Sequence, residues 1–154
     1  MQHPVRVPRR RSATAAATVP PVSGVSILPV VGLPEIEAGA DLAAMIAALE
    51  PLADGDVVVI TSKIVSKAEG CATELDEVVP STFAVEWGER WEKDPRVVEV
   101  VLRESNRIVR QIGPVLITET KHGFVCANAG IDLSNVPEGR AALLPVDPDR
   151  SARR

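Results

Sequence analysis

Residues 54–70 read DGDVVVITSKIVSKAEG, and this stretch decides the fold class. It opens with residues typical of a turn, and the four β-branched residues 57–60 that follow are typical of a central strand buried on both faces. The short segment from Ser62 to Gly70 then predicts a helical turn with a serine cap and a glycine stop. A strand followed directly by a helix indicates a protein that mixes α and β structure.

Helical periodicity flanks this stretch on both sides. Apolar residues recur at helical spacing from residue 41 to residue 49, with Asp41 in the N-cap position. A second stripe starts at Ser81 and has an aromatic residue at every fourth position. A third follows Asp94 and Pro95, which suit the N-cap and the first helical position. We expect a helix at each of these places.

Two further regions have the character of strands. Residues 25–31 alternate enough to predict a strand, and residues 115–119 and 124–128 predict a hairpin joined by a four-residue loop. Together with the helices, these segments predict an α+β fold in which helices pack on a mixed sheet.

Composition limits the classes of function. The chain has 154 residues and 45% hydrophobic content, which suits one main domain. The net charge is −4, and because the first 24 residues carry four arginines and no acidic residue, the remainder carries −8. An acidic body with 3% aromatic residues is a poor candidate for binding nucleic acid, so no nucleic-acid partner is expected.

The chain divides at residue 24. Residues 1–24 are predicted to be a disordered basic tail, because Pro, Ala, Thr and Arg cannot bury an apolar face. Export is disfavoured, since the segment after the arginines is too weakly apolar for a signal peptide. The remainder has two distant cysteines and no apolar run long enough to cross a membrane, which predicts a cytoplasmic protein with reduced thiols.

The segment after the predicted central strand could bind phosphate. Backbone N–H groups at a helix start, the Ser62 hydroxyl and the ammonium groups of Lys63 and Lys67 suit phosphate oxygens. The alternative is purely structural: Ser62 caps the helix, which stabilises it by about 1 kcal/mol, and both lysines lie in solvent.

A second cluster of oxygen-bearing residues spans residues 128–135. Asp132 and Asn135 could reach a cation or a nucleotide, since Mg²⁺ prefers oxygen ligands. Alternatively, they form an Asx-turn that satisfies local backbone groups. From composition alone, His122 and Glu35 are more readily explained as surface residues.

Four segments, taken in order, resemble the coenzyme F420:L-glutamate ligase family. They are residues 28–36 (LPVVGLPEI), 55–70 (GDVVVITSKIVSKAEG), 117–136 (ITETKHGFVCANAGIDLSNV) and 143–149 (LLPVDPD). The resemblance implies an α+β protein found as homodimers. It also implies a ligase of coenzyme F420 biosynthesis that uses GTP, Mg²⁺ or Mn²⁺, and K⁺ to add L-glutamate to the precursor F420-0 through an acyl phosphate.

The resemblance also assigns binding residues. The metal carboxylate of the family falls on Asp132, and the catalytic residues are not identified. The nucleotide contacts fall on Leu33, Pro34, Glu35, Ile36, Ser62, Lys67 and Asn135.

Family members continue well beyond residues 143–149, with a later Asp and Thr pair that supplies further metal ligands. Residues 25–154 are therefore expected to form the N-terminal portion of the ligase domain, with an incomplete metal site. Two hypotheses follow: a ligase that is active when completed, and a noncatalytic nucleotide-binding remnant or subunit that requires a partner chain.

Overall fold

The computed structural model describes residues 24–153, so the predicted basic tail lies, apart from Gly24, outside the described residues. No helix in this range has the length and apolar character needed to span a bilayer. The described helices are α1 (Leu42–Leu49), α2 (Ser62–Ala68), α3 (Thr82–Trp91), α4 (Pro95–Arg103) and α5 (Pro148–Ala152). The strands are β1 (Ala72–Glu74), β2 (Ser105–Ile112), β3 (Val115–Thr120), β4 (Val125–Ala127) and β5 (Arg140–Ala142). Helices combined with antiparallel sheets confirm the predicted α+β class.

Capping side chains fix the starts of the three periodic helices. The Asp41 carboxylate accepts the Ala44 N–H at the start of α1 (2.9 Å), and the Ser81 hydroxyl oxygen does the same for Ala84 in α3 (3.3 Å). The Asp94 carboxylate caps α4 ahead of a proline in the first turn. Because each cap satisfies a backbone donor that the helix leaves free, these predicted helix starts are confirmed.

Helix α2 begins differently from the prediction. Thr61 has extended backbone angles and occupies the N-cap position without a side-chain hydrogen bond. Ser62 is the first helical residue, so its predicted role as the structural cap is wrong.

The predicted hairpin is confirmed as β3 and β4. These strands pair antiparallel, with Thr118 opposite Cys126, and the turn closes where the Thr120 N–H donates to the Phe124 carbonyl (2.8 Å). Strand β3 lies at the centre of a three-stranded sheet, with β2 on its other side.

Strand β2 forms an outer edge of this sheet. Its register against β3 shifts between Ser105 and Arg107 and again between Ile108 and Arg110. Seven of its eight residues are exposed. Because exposed edge residues need no apolar alternation, this strand has no period-two pattern from which it could be predicted.

The core lies where α3 and α4 pack on β3. One apolar cluster joins Trp87 of α3 to Val98 and Val101 of α4 and to Leu116 of β3. A second cluster lies on the other side of α4, where Val100 contacts the 3₁₀ turn Leu75–Glu77 and strand β5. Helix α4 therefore connects both halves of the core.

A small second sheet places the loop that follows the hairpin beside α2. Strands β1 and β5 pair antiparallel, and Asp132 forms an isolated bridge with Ala142 of β5. The Leu143 N–H donates to the Cys71 carbonyl just after α2 (2.9 Å). These bonds hold the Asp132 loop close to α2.

The strands predicted at residues 25–31 and 57–60 are wrong for the described part of the chain. Neither segment forms a strand, and all four residues of the second are exposed. A strand requires a hydrogen-bonded neighbour, and no other described segment pairs with either of them.

Candidate functional site

Three segments that are distant in sequence enclose an open cleft of about 530 Å³. One is segment 33–36, which is neither helix nor strand, one is helix α2, and one is the loop 135–137. The lining residues are Leu33, Pro34, Glu35, Ile36, Lys63, Ile64, Lys67, Asn135, Val136 and Pro137.

Backbone contacts hold the first segment against α2. The Gly39 N–H donates to the Ala68 carbonyl at the end of α2 (2.7 Å). Ile36 is buried, and so is Ser66 on α2. The two walls of the cleft are therefore connected at one end, next to the C-terminus of the helix.

Lys67 and Glu35 form an ion pair across the cleft. The Lys67 side chain is mostly buried, whereas that of Glu35 is largely exposed. Burial of an ammonium group is unfavourable unless it has an anionic partner. Glu35 therefore compensates a cation that an incoming anion could also bind.

A second ion pair joins α2 to the loop after the hairpin. Lys63 Nζ lies 2.6 Å from Asp132 Oδ2 and donates to Ser134 Oγ at 2.6 Å. The Ser134 N–H and hydroxyl both donate to Asp132 Oδ1 at 2.7 Å. The Asx-turn interpretation is thus confirmed for Asp132.

The same contacts control the ionisation of Asp132. Hydrogen bonding from Lys63, and then from the Ser134 hydroxyl and N–H, lowers the pKa of Asp132 to about 2. The carboxylate is therefore charged throughout the neutral range, as a cation ligand must be.

Asn135 completes the cleft from a constrained backbone position. Its φ of 56° lies in the left-handed region, which asparagine tolerates better than most residues. No hydrogen bond joins its side-chain amide to another residue between 24 and 153, so both polar ends of the amide are free for a ligand.

The structure brings most of the predicted site residues together. All the residues predicted to contact nucleotide line the cleft except Ser62, which precedes the lining residue Lys63. Asp132 does not line the cleft, but its carboxylate forms an ion pair with the lining residue Lys63. His122 lies apart, with Nε2 3.2 Å from the Val146 carbonyl oxygen.

The residues alone indicated Lys63 as a phosphate ligand beside Lys67, whereas the resemblance assigned only Lys67. Both lysines line the cleft, because a spacing of four residues places them on one helix face. The lining residues Ile64, Val136 and Pro137 were not predicted, since their apolar side chains carry no chemical signal in the sequence.

For a divalent cation, the described residues near the cleft would offer the carboxylate of Asp132, which Lys63 neutralises in this structure. Between residues 24 and 153, no three acidic, histidine or cysteine side chains cluster as a metal site. Mg²⁺ is commonly held by one or two carboxylates together with phosphate oxygens and water. Asp132 could supply one such carboxylate, with phosphate from a ligand in the cleft.

A second cavity of about 170 Å³ lies between α3, α4 and β3. Its walls include core residues such as Trp87, Val98 and Leu116. None of the predicted site residues lines it.

Comparison with known proteins agrees with the resemblance. The family model described as F420-0:Gamma-glutamyl ligase matches residues 31–154. The chain is 48% identical over 136 residues to the coenzyme F420:L-glutamate ligase of Methanothermobacter thermautotrophicus, a match that covers 85% of this chain and 54% of the relative. It is 55% identical over 120 residues to the ligase of the same name from Methanopyrus kandleri, covering 77% of this chain and 47% of the relative.

The chain thus spans about half the length of the relatives it matches. The matched residues include segment 33–36, α2 and the Asp132 loop, and therefore the whole lining of the cleft. By this match, the chain belongs to the F420-0:gamma-glutamyl ligase family.

Proposed function

We propose that this chain supplies the nucleotide-binding part of a GTP-dependent ligase that adds L-glutamate to F420-0 in coenzyme F420 biosynthesis. The supporting observation is the cleft, in which segment 33–36, Lys67 and Asn135 converge from three distant parts of the sequence. Family membership supports the same role, since relatives carry the name coenzyme F420:L-glutamate ligase.

Each wall of the cleft has a distinct part in this proposal. Lys67 and Lys63 bind phosphate oxygens, because ammonium groups form strong charge-assisted hydrogen bonds with them. Residues 33–36 and the Asn135 amide contact the remainder of the nucleotide. Helix α2 has only seven residues, so side-chain charge outweighs its weak dipole.

The two ion pairs have a function before the nucleotide binds. Glu35 and Asp132 neutralise Lys67 and Lys63 in the free chain. A triphosphate would displace Glu35 from Lys67, so part of its binding energy offsets the loss of this pair. The free-energy cost of losing this pair is small, because Glu35 is largely exposed to water.

The reaction we propose has two steps. The substrate carboxylate attacks the γ-phosphorus of GTP, which forms an acyl phosphate and releases GDP. The amine of L-glutamate then attacks the acyl carbon, phosphate leaves, and loss of a proton gives the amide. A Mg²⁺ or Mn²⁺ ion held by Asp132 would neutralise charge on the transferring phosphoryl group.

Other parts of the proposal rest on the resemblance alone. These are the acyl phosphate, the assistance of K⁺, the homodimer and the identity of both substrates. Catalytic residues other than the nucleotide and metal ligands are not assigned.

The alternative is a noncatalytic nucleotide-binding remnant or a subunit that requires a partner chain. One observation favours it: in the described range, Asp132 belongs to no cluster of three or more acidic, histidine or cysteine side chains. The two functions differ in turnover, since both predict nucleotide binding and only the ligase, once completed, releases GDP in response to glutamate.

Calorimetric titration of GTP in the presence of Mn²⁺ tests the proposed cleft. We expect Lys67→Ala to weaken GTP binding by about 1–3 kcal/mol, the loss typical of a hydrogen bond to a charged group. Lys121→Ala is the matched control, because Lys121 also forms an ion pair, with Glu104, and does not line the cleft. The affinity of the Lys121→Ala variant for GTP should equal that of the unmodified chain.

Two results would contradict the proposal. One is an unchanged GTP affinity in Lys67→Ala. The other is equal binding of ATP and GTP, which would leave nucleotide binding intact and remove the GTP specificity.

A further inference from the structure

Residues 57–60 are exposed on both sides. Val57 and Val59 are 85% and 90% exposed, and the alternate residues Val58 and Ile60 are 43% and 41% exposed. Four consecutive β-branched residues are typical of a strand that is covered on both faces. Their exposure therefore leaves apolar surface in water that such residues normally bury.

The backbone of these residues is also unpaired. Neither the N–H nor the C=O groups of residues 57–60 form a backbone hydrogen bond with another described residue. A segment of strand-forming residues with free backbone donors and acceptors is a template for the addition of a strand.

Residues 25–31 repeat this pattern. Val25 and Ile27 are almost fully exposed, Leu28 and Val31 are also exposed, and no described residue pairs with their backbone. We refer to residues 25–31 and 57–60 as the two bare segments. The first leads directly into the cleft residues 33–36, and the second leads into α2.

Two observations identify what would cover the bare segments. The relatives from Methanothermobacter and Methanopyrus contain about as much chain again as the part that matches here. In addition, a second copy of this chain that paired edge to edge with residues 57–60 would satisfy their backbone hydrogen bonds. Both faces of the segment would still be exposed to water. A body with a sheet and covering elements is needed to bury both faces.

We propose that the two bare segments dock a polypeptide equivalent to the part of these relatives that the match does not cover, by addition of strands. This holds whether that polypeptide is continuous with the chain or separate from it. Because both segments lead into walls of the cleft, docking would also fix the position of segment 33–36 relative to α2. The proposal rests on the family relationship, and its test does not require ligase activity.

Hydrogen exchange measured by mass spectrometry tests this docking. The full chain is mixed with the unmatched portion of the Methanothermobacter relative and, separately, with that of the Methanopyrus relative. We expect a one-to-one complex in which the amides of residues 57–60 exchange at least about tenfold more slowly than in the chain alone.

Val59→Asp supplies the mutational test. Val59 is almost fully exposed, so the variant should keep the fold of the free chain and bind the polypeptide at least about tenfold more weakly. Val79→Asp is the control, because Val79 is 77% exposed and lies outside both bare segments. Its binding should be unchanged.

Three outcomes would overturn the proposal. They are the absence of a complex with either polypeptide, a complex in which residues 57–60 stay unprotected, and protection of these residues in a discrete dimer of the chain alone at dilutions where it does not aggregate. If docking occurs and the complex does not ligate glutamate, the proposed function fails and the docking surface stands.

Discussion

At the residue scale, the site consists of two lysines on one helix face, each paired with a carboxylate from a different segment. Lys67 pairs with Glu35 from the segment before α1, and Lys63 pairs with Asp132 from the loop before β5. The pairs are partly exposed, so each adds little to folding stability. Their main effect is to hold cations and a charged carboxylate at the cleft.

The Lys63–Asp132 pair gives a test by pH titration. Replacing Lys63 with Met removes the largest cause of the lowered Asp132 pKa, so this pKa should rise from about 2 towards 3.8. Carboxyl ¹³C NMR should show Asp132 still ionised at about pH 3 in the unmodified chain and partly protonated in Lys63→Met. Lys121→Met, which breaks the pair with Glu104, should leave the titration of Asp132 unchanged.

The sign of the stability effect follows from the lowered pKa. The pair stabilises the folded chain above the ordinary pKa of an aspartate and loses this effect as pH falls towards 2. The difference in unfolding free energy between the unmodified chain and Lys63→Met should therefore become smaller as the pH falls from 3.8 to about 2. A difference that stayed constant from pH 5 to about pH 2 would contradict the pairing.

At the element scale, the packing of α3 against the start of α4 depends on Gly88. A Cβ atom at this position would lie 2.7 Å from the Lys93 carbonyl oxygen and 3.0 Å from Pro95 Cγ. Lys93 lies in the turn between the helices and Pro95 is the first residue of α4, so neither can move independently of the chain.

Gly88→Ala should therefore destabilise the fold. Alanine usually stabilises a helix interior by about 0.5–1 kcal/mol relative to glycine. Here overpacking costs about 1–3 kcal/mol, so a net loss of up to about 2.5 kcal/mol is expected. Denaturation by urea measures it. Glu86→Ala, at an exposed position of the same helix, should change stability by less than about 0.5 kcal/mol, and a stabilised Gly88→Ala would contradict the close contact.

The elements that could be predicted from the sequence are those with local signals. Helices α1, α3 and α4 have capping residues and apolar periodicity, and the β3–β4 hairpin has two runs of strand formers around a short loop. Strands β1 and β5 have three residues each, too few to show a period of two.

Residues 57–60 show why other predictions were wrong. Their composition indicates a buried strand, but the composition of a segment does not show whether a partner strand lies beside it. Pairing also requires a neighbour, and the described part of the chain provides none. Most of the residues named from the resemblance do line one cleft, because resemblance to a family carries information about residues that meet only in the folded chain.

At the scale of the whole molecule, the main question is turnover. We expect the chain of 154 residues alone, supplied with GTP, Mn²⁺, L-glutamate and F420-0, to ligate at least about a hundredfold more slowly than the Methanothermobacter relative. Phosphoryl transfer depends on positioning and on charge neutralisation, and the described residues contain no cluster of three or more acidic, histidine or cysteine side chains that could hold a metal ion. Mass spectrometry of the glutamylated product measures the rate, and efficient ligation by the chain alone would show that its site is sufficient.

The irregular edge strand β2 has a consequence for solubility. Natural sheets discourage aggregation with bulges and with charged residues on their edges. Strand β2 has both, namely its two register shifts and the side chains of Arg107 and Arg110. Residues 57–60 have neither. Aggregation of the concentrated chain should therefore start at this short uncharged run, while the longer edge stays protected by its arginines.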